Sequence, residues 1–540
     1  MKFLLSIAIL LLSLSLSAQI TTNSQWTWMK GDSTIYPAAI YGTQGIADNL
    51  NQPGQGGGHC WKDVLGKFWL YVPAFCDVWK YDLLTNQWTW LKGDSSVKQP
   101  LYGMKGISNP NNKPGARSGS VSWGDGVGNL WIFGGARNDM SGNRILLNDL
   151  WKYEPSTNQW TWISGDSTGN SLGIYGTQGV EASINKPGGR QAGLCNSSWV
   201  DNSGNLWLFG GLGYGFSNTG GDLNDLWKYN PSTNQWTWIN GDYTVNKYGI
   251  YGTQGITSTS NKPGGRFSSL AWYEGANFFI FGGYGYSSSG IEGWLNDLWK
   301  YDLSINQWTW IKGDNSINQY GIYGIQGIAN AINKPGSRNI GATWVDNSAN
   351  LWLFGGSGFA NSGYHDLLND LWKYDPSLNQ WTWMKGDSIL DKNGVYGTKG
   401  ISAAINKPGS RQLRGSWKDD SGNFWLFGES GLAASGNHKS GQGIYGSGTG
   451  GNLNDLWKLG SLGTCGSGFT WIGVTSTDWT VRSNWCGGVV PGANDDAIVP
   501  GGTLFSPIVP NDVTTSVRSL TIQTGATVTL GTNAHLNVMH

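Results

Sequence analysis

Five arginines recur at one position of a repeated stretch, each two residues after a Lys-Pro-Gly turn. They are Arg117, Arg190, Arg266, Arg338 and Arg411. A guanidinium group presents a planar fork of donors that matches a carboxylate or a sulfate. Five such groups around one opening could bind an anion, and hydrogen bonding to backbone carbonyls of neighbouring structure is the alternative. The first copy of the stretch has Gly56 at this position.

Other side chains with chemical potential are few. His59, His365 and His438 show no metal-ligand spacing. The stretch DNSGN at 201–205 is similar to part of a calcium loop but lacks the further carboxylates, and a turn is the better interpretation. We therefore expect no metal, no cofactor and no catalytic residue.

The arginines belong to a longer repeat that is marked by tryptophan. The pentapeptide NQWTW stands at 86–90, 158–162, 234–238, 306–310 and 379–383, and a sixth copy, SQWTW, stands alone at 24–28. Each full unit contains four short apolar segments separated by turn sequences such as DNSG and NPST. Such segments are typical of four short strands joined by hairpins, and regular recurrence indicates a repeat architecture.

The repeat resembles the kelch repeat, because a glycine pair closes the second strand, the third strand is aromatic and a tryptophan stands in the fourth. The pairs are Gly134–Gly135, Gly210–Gly211, Gly282–Gly283 and Gly355–Gly356, whereas the sixth unit has Gly428–Glu429. The resemblance implies an all-β, six-bladed kelch-type β-propeller over 19–459. It also implies kinship with the galactose oxidase superfamily, although the three histidines of the propeller sequence do not have the spacing of its copper site.

The count of strands suggests how the ring closes. The last unit has no WTW after its third strand, which contains Trp457, whereas the copy at 24–28 has no blade of its own. We expect the N-terminal strand to pair near Trp457 and remove the open edge. A linker at 460–468 and a small β-rich module at 469–540 follow. That module resembles the solenoid-like segments of Bacteroidetes surface proteins, and truncation of a longer protein would explain its end.

Composition limits the partners and the location. Lys+Arg and Asp+Glu are equal at 35 each, so no basic field exists for nucleic acid. Residues 1–18 have the pattern of a signal peptide, and no later segment is apolar enough to span a membrane. We expect a secreted or cell-surface monomer. Of the five cysteines, Cys465 and Cys486 form the best disulfide candidate. Cys60 and Cys76 would lie about 9–10 Å apart on one blade, too far for a bridge.

Loop lengths favour one face of the propeller for binding. The connections from second to third strand and from one blade to the next are long and share one face, here called the long-loop face. The loop at 430–452 is about twice as long as its equivalents, and we expect it to contact the ligand through His438, Lys439 and Tyr445, together with Arg411. The leading hypothesis is a binding or adhesion protein for a glycan or a protein. A carbohydrate-active kelch enzyme, oxidase-like or lyase/epimerase-like, is the alternative.

Overall fold

The first strand of the chain belongs to its last blade. The computed structural model describes residues 24–93, 99–139, 141–191, 198–434, 451–460, 469–471, 476–485, 489–499, 506–522 and 526–539. Strand β1 (Gln25–Lys30) is followed by six successive antiparallel sheets, the blades of a propeller.

Blades 1 to 3 are built from consecutive strands, numbered from the channel outward. Blade 1 contains β2 (His59–Lys62), β3 (Phe68–Val72), β4 (Asp77–Asp82) and β5 (Gln87–Lys92). Blade 2 contains β6 (Val121–Gly124), β7 (Leu130–Asn138), β8 (Arg144–Glu154) and β9 (Gln159–Ser164). Blade 3 has an inner strand in two pieces, β10 (Arg190–Gln191) and β11 (Ser198–Val200), then β12 (Leu206–Tyr214), β13 (Gly220–Asn230) and β14 (Gln235–Asn240).

Blades 4 to 6 continue the pattern. Blade 4 contains β15 (Arg266–Phe267), β16 (Leu270–Glu274), β17 (Asn277–Tyr286), β18 (Glu292–Asp302) and β19 (Gln307–Lys312). Blade 5 contains β20 (Arg338–Asn339), β21 (Ala342–Val345), β22 (Leu351–Phe359), β23 (His365–Asp375) and β24 (Gln380–Lys385). Blade 6 contains β25 (Ser402–Ala403), β26 (Gly415–Lys418), β27 (Phe424–Gly431) and β28 (Gly451–Gly460), with β1 as its fourth strand.

The N-terminal strand closes the ring, as the sequence predicts. Strand β1 pairs antiparallel with β28, and Trp28 lies opposite Trp457. On its other side β1 pairs with β25, so both edges of β1 carry backbone hydrogen bonds. Blade 6 therefore holds strands from both ends of the propeller, and an all-β, six-bladed propeller is confirmed.

The tryptophans of the repeat hold adjacent blades together. The first tryptophan of each WTW stretch packs on an aromatic ring of the second strand in the preceding blade, with centroid distances from 5.1 to 5.6 Å. The six pairs are Trp26–Phe354, Trp88–Phe427, Trp160–Tyr71, Trp236–Phe133, Trp308–Phe209 and Trp381–Phe281. All six indoles are at most 3% exposed, and each buries the large apolar area typical of an aromatic side chain.

The segments between blades cover the outer edge of the blade that follows them, and we call each of them a strap. In the strap at 165–189, the Gly179 amide donates to the Trp238 carbonyl at 2.8 Å, and the Asn185 Nδ2 donates to the Trp236 carbonyl at 3.1 Å. Both acceptors lie on β14, the outermost strand of blade 3. The straps thus occupy strand edges that would otherwise be open to pairing.

The C-terminal module differs from the blades because its strands pair in parallel. Its elements are β29 (Phe469–Thr470), a 3-10 helix (Arg482–Asn484), β30 (Asp496–Val499), β31 (Ile508–Val509), β32 (Thr514–Val517), β33 (Ser519–Ile522), β34 (Thr529–Leu530) and β35 (His535–Val538). Strands β30, β31 and β32 pair with β33, β34 and β35, respectively. Trp471, Trp479 and Trp485 form the aromatic part of its core.

Two sequence-based expectations concern cysteines and membrane spans. Cys465 and Cys486 lie outside the described residues, and their pairing stays a prediction. Cys60 and Cys76 are both free thiols. The described part of the chain contains no helix of the length and apolarity that crossing a bilayer requires.

Candidate functional site

The five predicted ligand-binding arginines are enclosed within their blades. Arg266 is representative: its Nη1 and Nη2 donate to the two carboxylate oxygens of Asp297 at 2.7 and 2.8 Å, and its Nε donates to the Gly264 carbonyl at 3.0 Å. The other pairs are Arg117–Asp149, Arg190–Asp225, Arg338–Asp370 and Arg411–Asp455. All ten side chains are 0% exposed. The ligand role of these arginines stays a prediction, and their geometry presents no guanidinium to solvent.

Each of these aspartates is the centre of a four-residue network. The Tyr251 hydroxyl, from the strap of blade 4, donates to Asp297 Oδ2 at 2.6 Å, and Trp299 Nε1 donates to the same oxygen at 2.7 Å. Burial, followed by the Asp297 charge, holds the pKa of Tyr251 well above its usual range. The network joins strap, inner strand and third strand of one blade. The sequence contains a repeated motif at the centre of this network, since Asn-Asp-Leu-Trp recurs at 148–151, 224–227, 296–299, 369–372 and 454–457.

The calcium-like stretch is a turn, in agreement with the sequence-based interpretation. Asp201 Oδ1 accepts hydrogen bonds from the backbone amides of Ser203 and Asn205, both at 2.9 Å. Its Oδ2 accepts from Trp207 Nε1 at 2.8 Å. Among the described residues, no three His, Cys, Asp or Glu side chains are grouped so that they could hold a metal ion.

The two histidines that the structure describes within the propeller lie far from each other in the ring. His59 of blade 1 is 2% exposed, and its Nε2 lies 2.7 Å from the Ser120 hydroxyl. Burial, then the charges of Arg414 and Arg117, lowers the pKa of His59 to about 3. His365 of blade 5 lies against Trp294, with ring centroids 4.0 Å apart. His438, Lys439 and Tyr445 fall at 435–450, outside the described residues, so their contact with a ligand stays a prediction.

Exposed aromatic side chains are concentrated on the long-loop face of blades 3 to 5. We call Phe216, Tyr243, Tyr248, Tyr320 and Tyr364 the aromatic surface. Their exposures are 64, 51, 57, 47 and 84%, respectively. All five lie in straps or in loops between second and third strands. Sequence reasoning missed this surface because it gave most weight to the divergent blades 1 and 6.

Two tyrosines of the aromatic surface also contact aromatic rings of the blades. Tyr248 lies 6.2 Å from Tyr286, and Tyr320 lies 5.6 Å from Phe359. The Tyr320 hydroxyl also donates to the Gly363 carbonyl at 2.9 Å. These contacts fix the orientation of two exposed rings before any ligand arrives, which reduces the entropy lost on binding.

A buried carboxyl lies at the same face, between blades 3 and 4. Asp222 is 3% exposed, and its Oδ2 makes no hydrogen bond to the described residues. Burial, then the charge of the exposed Glu292, raises the pKa of Asp222 to about 8, against the opposing effect of Arg266. The carboxyl therefore titrates near neutral pH.

This titration predicts a pH-dependent stability. Native Asp222 keeps its proton up to about pH 8, whereas the unfolded chain releases it near pH 4. The native state thus binds more protons over this interval, and the free energy of unfolding should fall as pH rises from about 4 to 8. Asp222→Asn should remove the contribution of this carboxyl to the fall in the free energy of unfolding. Urea midpoints at pH 5, 7 and 9 would measure the difference. If the urea midpoints of the wild type and of Asp222→Asn fell equally with rising pH, the raised pKa of Asp222 would be contradicted.

Comparisons with known proteins yield a similar solved structure and a family model for the C-terminal module. A solved structure entitled "Structure of YjhT" is similar over 77% of this chain and 96% of that chain, with 14% sequence identity and a TM-score of 0.43. A family model described as a domain of unknown function (DUF8693) matches residues 470–540, which is the C-terminal module. No curated protein sequence matches the chain.

Proposed function

We propose that this chain is a secreted or cell-surface kelch-type propeller that binds a glycan or a protein through its long-loop face. The proposal rests on the exposure of the aromatic surface of blades 3 to 5. Exposed aromatic side chains that are grouped on one face of a protein are typical of an interaction site. Tyrosine combines a flat apolar ring with a hydroxyl that can form hydrogen bonds, a combination that suits both sugar faces and protein partners.

The assignment to the kelch class is supported by the glycine pairs. Gly282 and Gly283 have φ values of 61° and 95°, and a Cβ at Gly282 would lie 2.5 Å from the Arg338 carbonyl oxygen of the next blade. A side chain is therefore unfavourable both in backbone conformation and in space. The secreted location rests on the signal-like sequence at 1–18 alone.

The alternative is a carbohydrate-active enzyme, and the pair Asp222 and Glu292 is what favours it. A carboxyl that keeps its proton at neutral pH can act as a general acid. Turnover of a sugar that Asp222→Asn abolishes, with folding intact, would favour this alternative over binding alone.

The binding proposal is tested by screening the purified protein against a glycan panel and then measuring variants with the glycan found. We expect Tyr248→Ala and Tyr320→Ala each to weaken binding about tenfold, or about 1.4 kcal/mol. Leu378→Ala is the control, because Leu378 is 59% exposed but lies in a hairpin on the opposite face.

A second experiment distinguishes the aromatic surface from the loop at 430–452 as the location of the binding site. Replacement of residues 430–452 by the shorter 357–367 keeps the strand register, because Ser430 pairs with Asn452 as Ser357 pairs with Leu367, and should preserve folding. Loss of binding in this graft, with both tyrosine variants unaffected, would move the site to the loop of blade 6. Absence of any glycan ligand would leave a protein partner, for which the same variants apply in a pull-down from the organism's surface fraction.

A further inference from the structure

The second strand of blade 6 differs from those of blades 2 to 5 at the second position of the glycine pair. Blades 2 to 5 have glycine there, and the φ values of these glycines lie between 95° and 106°. They are Gly135, Gly211, Gly283 and Gly356. Blade 6 instead has Glu429, with φ at 73°. A residue with a Cβ is strained in this left-handed region, and such strain is concentrated at functional sites.

The side chain of Glu429 fits because the neighbouring blade leaves room for it. A Cβ at Gly57 of blade 1 would lie 1.4 Å from Glu429 Oε2, so the carboxylate occupies the space of a missing side chain. Its Oε2 makes no hydrogen bond to the described residues, and the side chain is 7% exposed. The fold thus tolerates both backbone strain and an incompletely satisfied buried carboxyl at this point.

Glu429 faces an arginine that is also specific to blade 6. The Nε of Arg414 lies 3.3 Å from Glu429 Oε1, and the Arg414 side chain is 17% exposed. The residues three positions after the first arginine of the inner strand in blades 2, 4 and 5 are small: they are Ser120, Ser269 and Gly341. The terminal nitrogens of Arg414 form no hydrogen bond or ion pair with the described residues, unlike those of the five enclosed arginines.

Arg414 lines a cavity in the central channel. The cavity has a volume of about 50 Å³ and opens to solvent, and its wall is formed by residues of the inner strands of blades 4, 5 and 6 and of the segments that precede them. Thr343 and Ser416 contribute hydroxyls, and Leu270 and Leu413 contribute apolar surface. Small-molecule sites combine such a concave surface with a few fixed polar groups.

We propose that this channel cavity binds a small carboxylate, with the terminal nitrogens of Arg414 as its receptor and Glu429 as a positioning residue. The Glu429 carboxylate lies beside the Nε edge of the guanidinium group, at 3.3 Å, and leaves the two terminal nitrogens as the donors available to a ligand. A planar fork of donors matches a carboxylate in two parallel hydrogen bonds. The hydroxyls of Thr343 and Ser416 can hydrogen-bond polar groups elsewhere on the ligand.

Glu429 limits the charge that builds up when an anion enters. Burial raises the pKa of Glu429, and the Arg414 charge opposes this shift. The other titratable groups around the pair are His59, whose pKa is lowered, and Cys60, whose pKa burial and the Glu429 charge raise. Neither carries a charge at neutral pH, so among the residues that the structure describes around the pair, Arg414 is the cation available to a ligand. An entering carboxylate should therefore favour proton uptake by Glu429 and bind more tightly at lower pH.

The test uses the full chain and isothermal titration calorimetry with D-glucuronate, with acetate as a carboxylate without hydroxyls and D-glucose as an uncharged counterpart. We expect glucuronate to bind more tightly than acetate, and glucose not to bind at the channel. Arg414→Ser, which copies blades 2 and 4, should weaken glucuronate binding at least about tenfold. Glu429→Gly, which copies blades 2 to 5, should abolish the dependence of glucuronate binding on pH. The control is Arg518→Ser, which removes an exposed arginine paired with Asp496 in the C-terminal module.

The urea midpoint of each variant shows whether it folds. A double variant, Arg414→Ser with Glu429→Gly, is a further control, because it gives blade 6 the residues that other blades have at these positions and leaves neither charge without its partner. Failure of the wild type to bind either carboxylate would overturn the proposal. Equal binding of glucuronate by wild type and Arg414→Ser would overturn it as well. Binding of glucose as tight as that of glucuronate would assign the cavity to neutral sugars and refute the role of Arg414.

Discussion

A chain that begins after residue 30 should fail to form a stable monomer. Removal of β1 exposes the outer edge of β28 and the surfaces that Trp26 and Trp28 cover. The loss of a buried tryptophan costs about 3–5 kcal/mol, and Trp26 is 3% exposed. Whole domains are stable by only about 5–15 kcal/mol. We expect aggregation in size-exclusion chromatography with light scattering, or a large fall in the urea midpoint.

The same closure can be tested without deletion and by complementation. Trp26→Ala should cost about 3–5 kcal/mol, whereas Lys30→Ala, at a partly exposed position of the same strand, should stay within about 0.5 kcal/mol. A synthetic peptide of residues 19–30 should raise the melting temperature of the shortened chain by adding the missing strand. A shortened chain that is monomeric and melts like the wild type would show that β1 does not close the ring.

The second large effect is expected when one partner of an enclosed ion pair is removed. Arg266→Ala leaves the Asp297 carboxylate buried, still hydrogen-bonded to Tyr251 and Trp299 but without its cation. Breaking a buried pair in this way costs about 3–5 kcal/mol, which urea or thermal unfolding would measure.

Two comparisons make this prediction specific. Lys262 pairs with Asp242 at 2.7 Å, but the two side chains are 26 and 24% exposed, so Lys262→Ala should cost no more than about 1 kcal/mol. Replacement of both Arg266 and Asp297 by apolar residues should recover most of the loss, because no uncompensated charge remains. An Arg266→Ala protein as stable as the Lys262 variant would contradict the enclosed position of the pair.

The sequence allowed the fold to be predicted because its signals are local and repeated. The WTW stretches define the fourth strands, and the unpaired copy at 24–28 correctly predicted pairing beside Trp457. The position of the arginines along the chain was also correct, since each begins an inner strand or precedes one. The carboxylates that pair with them were not predicted, because Arg411 contacts Asp455, 44 residues away, and sequence spacing does not reveal which side chain lies opposite across three strands.

The candidate sites depended on three-dimensional proximity and were harder to predict. The exchange of glycine for Glu429 is visible in the sequence, but its approach to Arg414 depends on how blade 6 turns into the channel. The aromatic surface combines Tyr248 and Tyr320 from straps with Tyr364 from a loop between strands. No single repeat contains this set, so comparison of repeats with one another did not reveal it.

Because blade 6 contains strands from both ends of the propeller, the order of synthesis determines when the ring can close. Within the propeller, β1 is synthesised before the other strands and its partner β28 after them, and the Asp32 amide that follows β1 donates to a side-chain oxygen of Asn454, 422 residues away. Contacts of such sequence separation form slowly because the intervening chain must first be brought together. Five blades can assemble while the chain emerges, but the ring stays open until the final blade is complete. During that interval β1 is a free, aromatic strand, and a second, unfinished ring could accept it as readily as its own.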